Sequence, residues 1–382
     1  MSIPCDVILD VLLLLPVKSI LRFRSLSKYF CRMIDCPTFI DFHLNHSSKT
    51  GSNRSLMVND VTAGTGSIYQ IDLDSPGSHA VELALPFQRV PFPLVDGFKP
   101  RCGEIFGSCN GLVALRDDEG ITLWNPSTAK HRAVPKFWTG FVWLEGFGYD
   151  AIAKDYKAII ISKEDNEKHL RVMVYSLKAD SWRRIEDLYT PTTEHFWTYY
   201  PKLYSALVGS SLHWAVVPRS GHDLLNNIIL AFDLSTEKFR EVPSPKVEIE
   251  GVKILKKVME LGGCLSLTYD CHHRSRQNNW LYGDIWIMKK YGVESSWTRL
   301  FTIPFCFYPK ATPLCFTNKG DKVLLFCEDG IRILFFWYDL KSSDTQRIFP
   351  FRLPGTGNTK YVCVTRASII CTRSLVPLHA HV

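Results

Sequence analysis

The chain has 382 residues, 46% of them hydrophobic and 22% charged, with a net charge of +7, an ordinary globular composition. Lys and Arg are spread along it, with the densest stretches at 253–257 and 272–276, so the charge reads as a solvated surface and not as a nucleic-acid-binding tract. The apolar run at 7–15 is interrupted by Asp10 and lacks an upstream basic residue, which argues against a secretory leader, and it is too short for a membrane span. Twelve widely spaced cysteines without a CxxC pair fit a reducing compartment with free thiols, so cytoplasm, nucleus or both is the expected location.

Residues 1 to about 46 carry helical patterning. Pro4 suits a first helical turn, Asp6 complements the helix dipole there, and Pro16 ends the run. Wound at about 100° per residue, a helix over 4–15 puts Val7, Val11, Leu14 and Leu15 on one side and Leu9, Leu12 and Leu13 on the other, with Ile8 between. Such a helix needs cover on more than one side. A second helix over 18–26 and a third, N-capped by Ser27, cover one of them, and Pro37 opens a last turn with Phe39, Phe42 and Leu44. A module this small cannot bury so many large side chains by itself. The excess apolar surface meets either another protein or the rest of the chain.

The string IP-x-D-x-x-x-D-x-L-x-x-LPVKS-x-LRFRSLSK, followed by PTFIDFHL, resembles an F-box of the plant type. It departs from that pattern at Ile3 and at Tyr29-Phe30. The resemblance implies docking on the Skp adaptor of a cullin-based ubiquitin ligase. It implies contacts from Ile3, Pro4, Ile8, Leu9, Leu12, Leu13, Leu15, Pro16, Val17, Leu21, Phe23, Lys28, Phe30 and Ile34.

Beyond residue 50 the pattern changes to short β-rich runs punctuated by Gly, Pro, Asn and Asp, and a unit recurs. Its turn tripeptides are Ile71-Asp72-Leu73, Trp124-Asn125-Pro126, Tyr175-Ser176-Leu177, Phe232-Asp233-Leu234, Trp286-Ile287-Met288 and Tyr338-Asp339-Leu340, with centres separated by 53, 51, 57, 54 and 52 residues. Similar strands follow at 131–135, 181–185, 238–243, 296–301 and 345–349. A small sheet of this kind buries its faces only against neighbours, and a period near fifty is kelch-like. The expected fold class is α+β multidomain: an N-terminal three-helix module over 1–46, then an all-β propeller-like domain of about six kelch-like blades over 47–382. The stretch 361–370 is placed to return beside the first blade. GSCNGLV (107–113), LWNPST (123–128), GFGYD (146–150), DYKAI (155–159), VYSL (174–177), SLHW (211–214) and AFDL (231–234) resemble the plant F-box-associated domain. The whole pattern is similar to F-box receptors that restrain plant immunity by removing immune receptors.

Chemical motifs are sparse. Gly107-Ser108-Cys109-Asn110-Gly111 has the letters of a nucleophile elbow with Cys as nucleophile, but a strand-like LVAL follows and Asn-Gly is the preferred type I′ hairpin pair. Cys264, Cys271, His272 and His273 cluster, yet a zinc site wants paired ligands from two arms. Neither a cofactor nor a metal is expected, and the chain reads as a non-catalytic receptor. Three inter-strand stretches, 89–101, 136–146 and 189–201, are rich in aromatics or Pro. They either anchor a partner or fill seams between blades. Trp138, Phe141, Trp143, Phe196, Trp197 and Tyr199 are the candidate target contacts.

The expected function is substrate recognition in a Skp-cullin-F-box ubiquitin ligase that marks a target protein for degradation. The expected partners are a Skp-type adaptor, through it a cullin scaffold, and that target, with neither nucleic acid nor membrane. The alternative is a ubiquitin-independent β-propeller interaction module with its helices packed on the blades.

Overall fold

A computed structural model describes residues 4–60, 67–75, 79–86, 103–117, 119–138, 141–163, 170–185, 196–197, 205–218, 228–246, 252–272, 281–304, 311–329, 332–348 and 368–378. The chain divides into two compact units: Met1–Pro135 with Arg352–Asn358 and Val364–Val382, and Lys136–Phe351 with Thr359–Cys363.

Four helices open the first unit: α1 (Cys5–Leu13), α2 (Val17–Arg24), α3 (Lys28–Ile34) and α4 (Pro37–Thr50). Ser27 caps α3 as its sequence indicates, accepting a hydrogen bond from the Phe30 amide at 3.2 Å. The fourth helix is a correction to the expected single turn, and its fourteen residues carry it past residue 46. The 45–50 stretch is polar and a poor helix former, but the inward face continues through it: Phe39, Ile40, His43 and Ser47 are all buried. Gly51, in the left-handed region at φ 64°, ends the helix.

Six antiparallel sheets follow, two in the first unit and four in the second. The first sheet has the order β25-β1-β2-β3, with β1 (Arg54–Asp60), β2 (Ser67–Asp72), β3 (Val81–Glu82) and the C-terminal β25 (Ser368–Thr372). Of the stretch 361–370 expected to return beside the first blade, residues 361–367 lie outside the described residues; the strand that does so is β25, which pairs with β1 from Arg54↔Thr372 to Val58↔Ser368. The second sheet runs β4 (Glu104–Cys109), β5 (Leu112–Arg116), β6 (Gly120–Asn125), β7 (Lys130–Pro135).

In the second unit, β8 (Phe141–Asp150), β9 (Asp155–Lys163), β10 (Arg171–Ser176) and β11 (Ser181–Arg184) form one sheet. In the next, β12 (Phe196–Trp197) and β13 (Ala206–Val208) share the edge of β14 (Ser211–Pro218), followed by β15 (Ile228–Asp233) and β16 (Phe239–Val242). The last two are β17 (Val252–Leu261), β18 (Cys264–His272), β19 (Leu281–Met288), β20 (Trp297–Pro304), and β21 (Thr312–Phe316), β22 (Lys322–Asp329), β23 (Arg332–Asp339), β24 (Thr345–Ile348).

Each predicted turn tripeptide lies at the end of the third strand of its sheet, and each predicted following strand is the fourth. Neighbouring sheets of the second unit share apolar clusters, one of which joins Ile159, Ile161 and Val172 to Leu212, Trp214 and Phe232. This is the burial that a small sheet cannot achieve alone.

Candidate protein-docking surface

Three faces of α1 have different fates. Leu12 points inward and is 2% exposed, with Val17, Ile20 and Ile34 of the following helices also buried. On one flank of α1, Leu9 and Leu13 line a groove of 710 Å³ together with Met33, Phe39 and Phe42, rimmed by Asp6, Asp10 and Arg32. On the other flank Val11 and Leu14 stand 53% and 69% exposed beside the equally bare Val7. Phe42, on α4, is 58% exposed. The blades that share the first unit leave this surface open.

The scaffold beneath is tied by polar contacts. His43 donates from Nε2 to the Leu15 carbonyl at 2.9 Å, fixing α4 to the end of α1. Burial pushes the His43 imidazole below its usual range, partly countered by that hydrogen bond. Arg24 makes a two-pronged pair with Asp35, at 2.7 and 2.8 Å, and the Arg24 hydrogen bond holds the Asp35 carboxyl below its usual range. Tyr29 donates to Cys5 Sγ at 3.1 Å on the groove rim. The Cys36 thiol, also on that rim, is lowered by the amides of Thr38 and Phe39 at the start of α4.

The predicted adaptor contacts divide accordingly. Leu9 and Leu13 lie in the groove, while Pro4, Pro16 and Lys28 are exposed. Ile8, Leu15, Leu21, Phe23 and Phe30 are half-buried, with Phe23 and Phe30 rings 5.9 Å apart. Ile3 lies outside the described residues. Leu12, Val17 and Ile34 are corrections: they form the module's interior and shape the surface from beneath. The predicted set left out Val7, Val11, Leu14 and Phe42, which are exposed on this surface. The signal for the first three was present, since the helical winding had already put them together on one side.

The candidate target contacts fare differently. Trp138 is 4% exposed and packs edge-on against Trp182 at 5.8 Å, while Trp143 packs on the apolar cluster of the second unit. Trp143 thus packs on the cluster between two sheets and Trp138 against β11, because an indole gains more from burial than from solvent. Phe196 and Trp197 pair along β14 with Pro218 and Val217. Tyr199, the side chain of Phe141, the whole of 89–101 and most of 189–201 lie outside the described residues.

Asn110 and Gly111 have φ of 53° and 85° and join β4 to β5 as a tight hairpin. The turn after Cys109 therefore leads into a strand, and the helix that a nucleophile elbow requires is replaced by β5. Cys264 and Cys271 lie seven positions apart on β18, roughly 23 Å along an extended strand, while the side chains of Cys271 and His272 and the whole of His273 lie outside the described residues. Among the described residues no group of three or more His, Cys, Asp or Glu is placed to hold a metal ion.

Comparison with known proteins agrees with this architecture. Residues 63–344 match the family described as the F-box associated beta propeller domain. The chain is 34% identical over 371 residues to the Arabidopsis thaliana F-box protein CPR1, covering 89% of this chain and 83% of that protein. It is 27% identical over 370 residues to the Arabidopsis thaliana F-box protein At4g22390, covering 89% and 84%. The Arabidopsis thaliana F-box/kelch-repeat protein At3g23880 is 25% identical over 316 residues, covering 79% and 80%.

Proposed function

The chain belongs to the F-box associated beta propeller family, and from that premise we propose that it is the substrate-recognition subunit of a Skp-cullin-F-box ubiquitin ligase. The observation that supports this is the bare apolar surface of α1 and its groove. Val11, Leu14 and Phe42 stay more than half exposed although sheets are present in the same unit. Exposed apolar surface of this extent is the mark of a protein–protein contact, and a standard interface needs about 1,600 Å² in all. The occupant is a Skp-type adaptor, which brings a cullin scaffold.

The blades hold the target protein so that its lysines reach the ubiquitin-charged enzyme. Catalysis by this chain is then proximity, supplied by binding. Following the sequence resemblance, the target class is an immune receptor, met in the cytoplasm or nucleus.

Affinity for a purified Skp-type adaptor tests the proposal. Leu12→Asp is a poor probe, since it places a charge in the module's interior. Leu13→Asp in the groove and Val11→Asp on the ridge act at the surface. Each should weaken binding about a hundredfold at unchanged melting temperature. Wild-type affinity in both variants would end the adaptor reading and favour a ubiquitin-independent interaction module.

A further inference from the structure

Asn53 sits between the last helix and the first strand, buried at 5% exposure and in the left-handed region at φ 58°. Its side-chain Oδ1 accepts the Val17 amide, the first of α2, at 3.2 Å. Its Nδ2 donates to Ser47 Oγ of α4 at 2.9 Å. Its backbone carbonyl accepts the Arg373 amide at 2.7 Å and Arg373 Nε at 3.4 Å. Arg373 then grips Asp72, at the end of β2, through two hydrogen bonds of 2.7 and 3.0 Å. One residue therefore satisfies the start of one helix, the end of another and the residue that follows the C-terminal strand.

We infer that Asn53 is a positioning residue, which with Arg373 fixes the angle between the adaptor-docking helices and the first sheet, so that the end of the chain helps to aim its beginning. This rests on the proposed function for its purpose and on the hydrogen bonds for its geometry. A residue in a plain tether exposes its polar groups to water. Here the amide of Asn53 is buried, and a buried amide left without partners costs on the order of 1–3 kcal/mol, so the arrangement is a joint held in one geometry. The φ explains why Asn fits. Asn tolerates the left-handed region, and its short amide supplies both an acceptor and a donor within reach of two helices. In a ligase whose chemistry is proximity, the spread of that angle sets how often a held lysine meets the charged enzyme.

The test uses the full chain with nitroxide labels, introduced through non-natural amino acids, at the exposed Asn45 on α4 and the exposed Val81 on β3 of the first sheet. Distance distributions are measured by pulsed electron resonance. Asn53→Gly keeps the backbone conformation and the carbonyl bond to Arg373 and deletes only the two side-chain bonds. The expected result is a distance distribution at least twice as broad as wild type, with adaptor affinity within threefold. Arg373→Gln, which leaves the helix contacts of Asn53 in place, should broaden it less, and this second variant keeps the test open if Asn53→Gly folds poorly. Distributions as narrow as wild type in the folded variants would overturn the inference. Failure of the wild-type chain to bind adaptor would instead count against the proposed function and leave the width measurement standing.

Discussion

His213 is fully buried on β14, at the end of a directed chain of hydrogen bonds. Its Nδ1 donates to the Ala206 carbonyl at 3.1 Å, which leaves Nε2 to accept from the Tyr291 hydroxyl at 2.5 Å, and that oxygen accepts from Arg240 at 2.8 Å. Burial, with Arg240 adding to it, holds the imidazole at about 4. In the unfolded chain it titrates near 6.5. The unfolded state therefore binds the proton first, and the stability His213 contributes is full above pH 6.5 and is lost as the pH falls toward 4. The loss at pH 5 is about 2 kcal/mol. In urea unfolding, the gap between wild type and His213→Gln should shrink by that amount between pH 7 and pH 5. A constant gap would refute the assignment. Gly111 makes a steric demand of a different kind. A Cβ there would lie 2.1 Å from Ser374 Oγ and 2.6 Å from the Thr372 carbonyl, at φ 85°. Gly111→Ala should cost about 3 kcal/mol, read as a lower melting temperature.

The turn between third and fourth strands is the element that repeats most faithfully. Asp72, Asn125, Asp233 and Asp339 each accept, through a side-chain oxygen, the amide two residues on, the short loop that Asp and Asn favour. Four positions after the strand end, Ala129, Asp180, Glu237 and Ser343 all take left-handed φ between 52° and 60°. Trp286-Ile287-Met288 has no such side chain, and its sheet uses a longer turn held by Ser296, which bonds the Lys290 amide and carbonyl at 3.1 and 2.8 Å. Between the third and fourth sheets Lys157 bonds Asp150 at 2.9 Å, the Leu234 carbonyl at 2.6 Å and Glu237 at 2.9 Å, while Arg183 pairs with Glu237. Burial pushes the Asp150 carboxyl up, but Lys157, Ser235 and the Ala153 amide outweigh it and bring it to about 2. Lys157→Met would leave the buried Asp150 carboxylate without its cation and should cost about 3 kcal/mol or more, measured by denaturant unfolding at pH 7. A neutral result would show that the seam stands on its apolar cluster alone.

At the scale of the first unit, the chain's two ends are tied into one piece. Beyond β25 the tail crosses to the second sheet, where Asn125 donates to the Ser374 and Val376 carbonyls at 3.2 and 2.8 Å and Leu375, Val376 and Leu378 are buried. Truncation after residue 367 removes these side chains and bares the edge of β1. It should cost about 6 kcal/mol and give a chain that associates through that edge, detected as a lower melting temperature and early elution. The period near fifty determined the six sheets, and Asn110-Gly111 determined its own hairpin, because turn chemistry and strand alternation act within a few residues. The F-box pattern in the first 45 residues likewise marked out the helical module. Which face of α1 remains bare was decided by the packing of α2, α3 and α4, which buries Leu12 and leaves Val11 open. A winding diagram ranks these two leucine and valine faces equally, since it counts apolar residues without knowing what lies opposite. Trp138 and Trp143 show the same limit: an aromatic side chain on a connecting stretch reads alike whether it awaits a partner or packs into the fold, and only the neighbouring strands distinguish the two. The joint at Asn53 depends on Arg373, 320 positions away, a contact that no local pattern can encode.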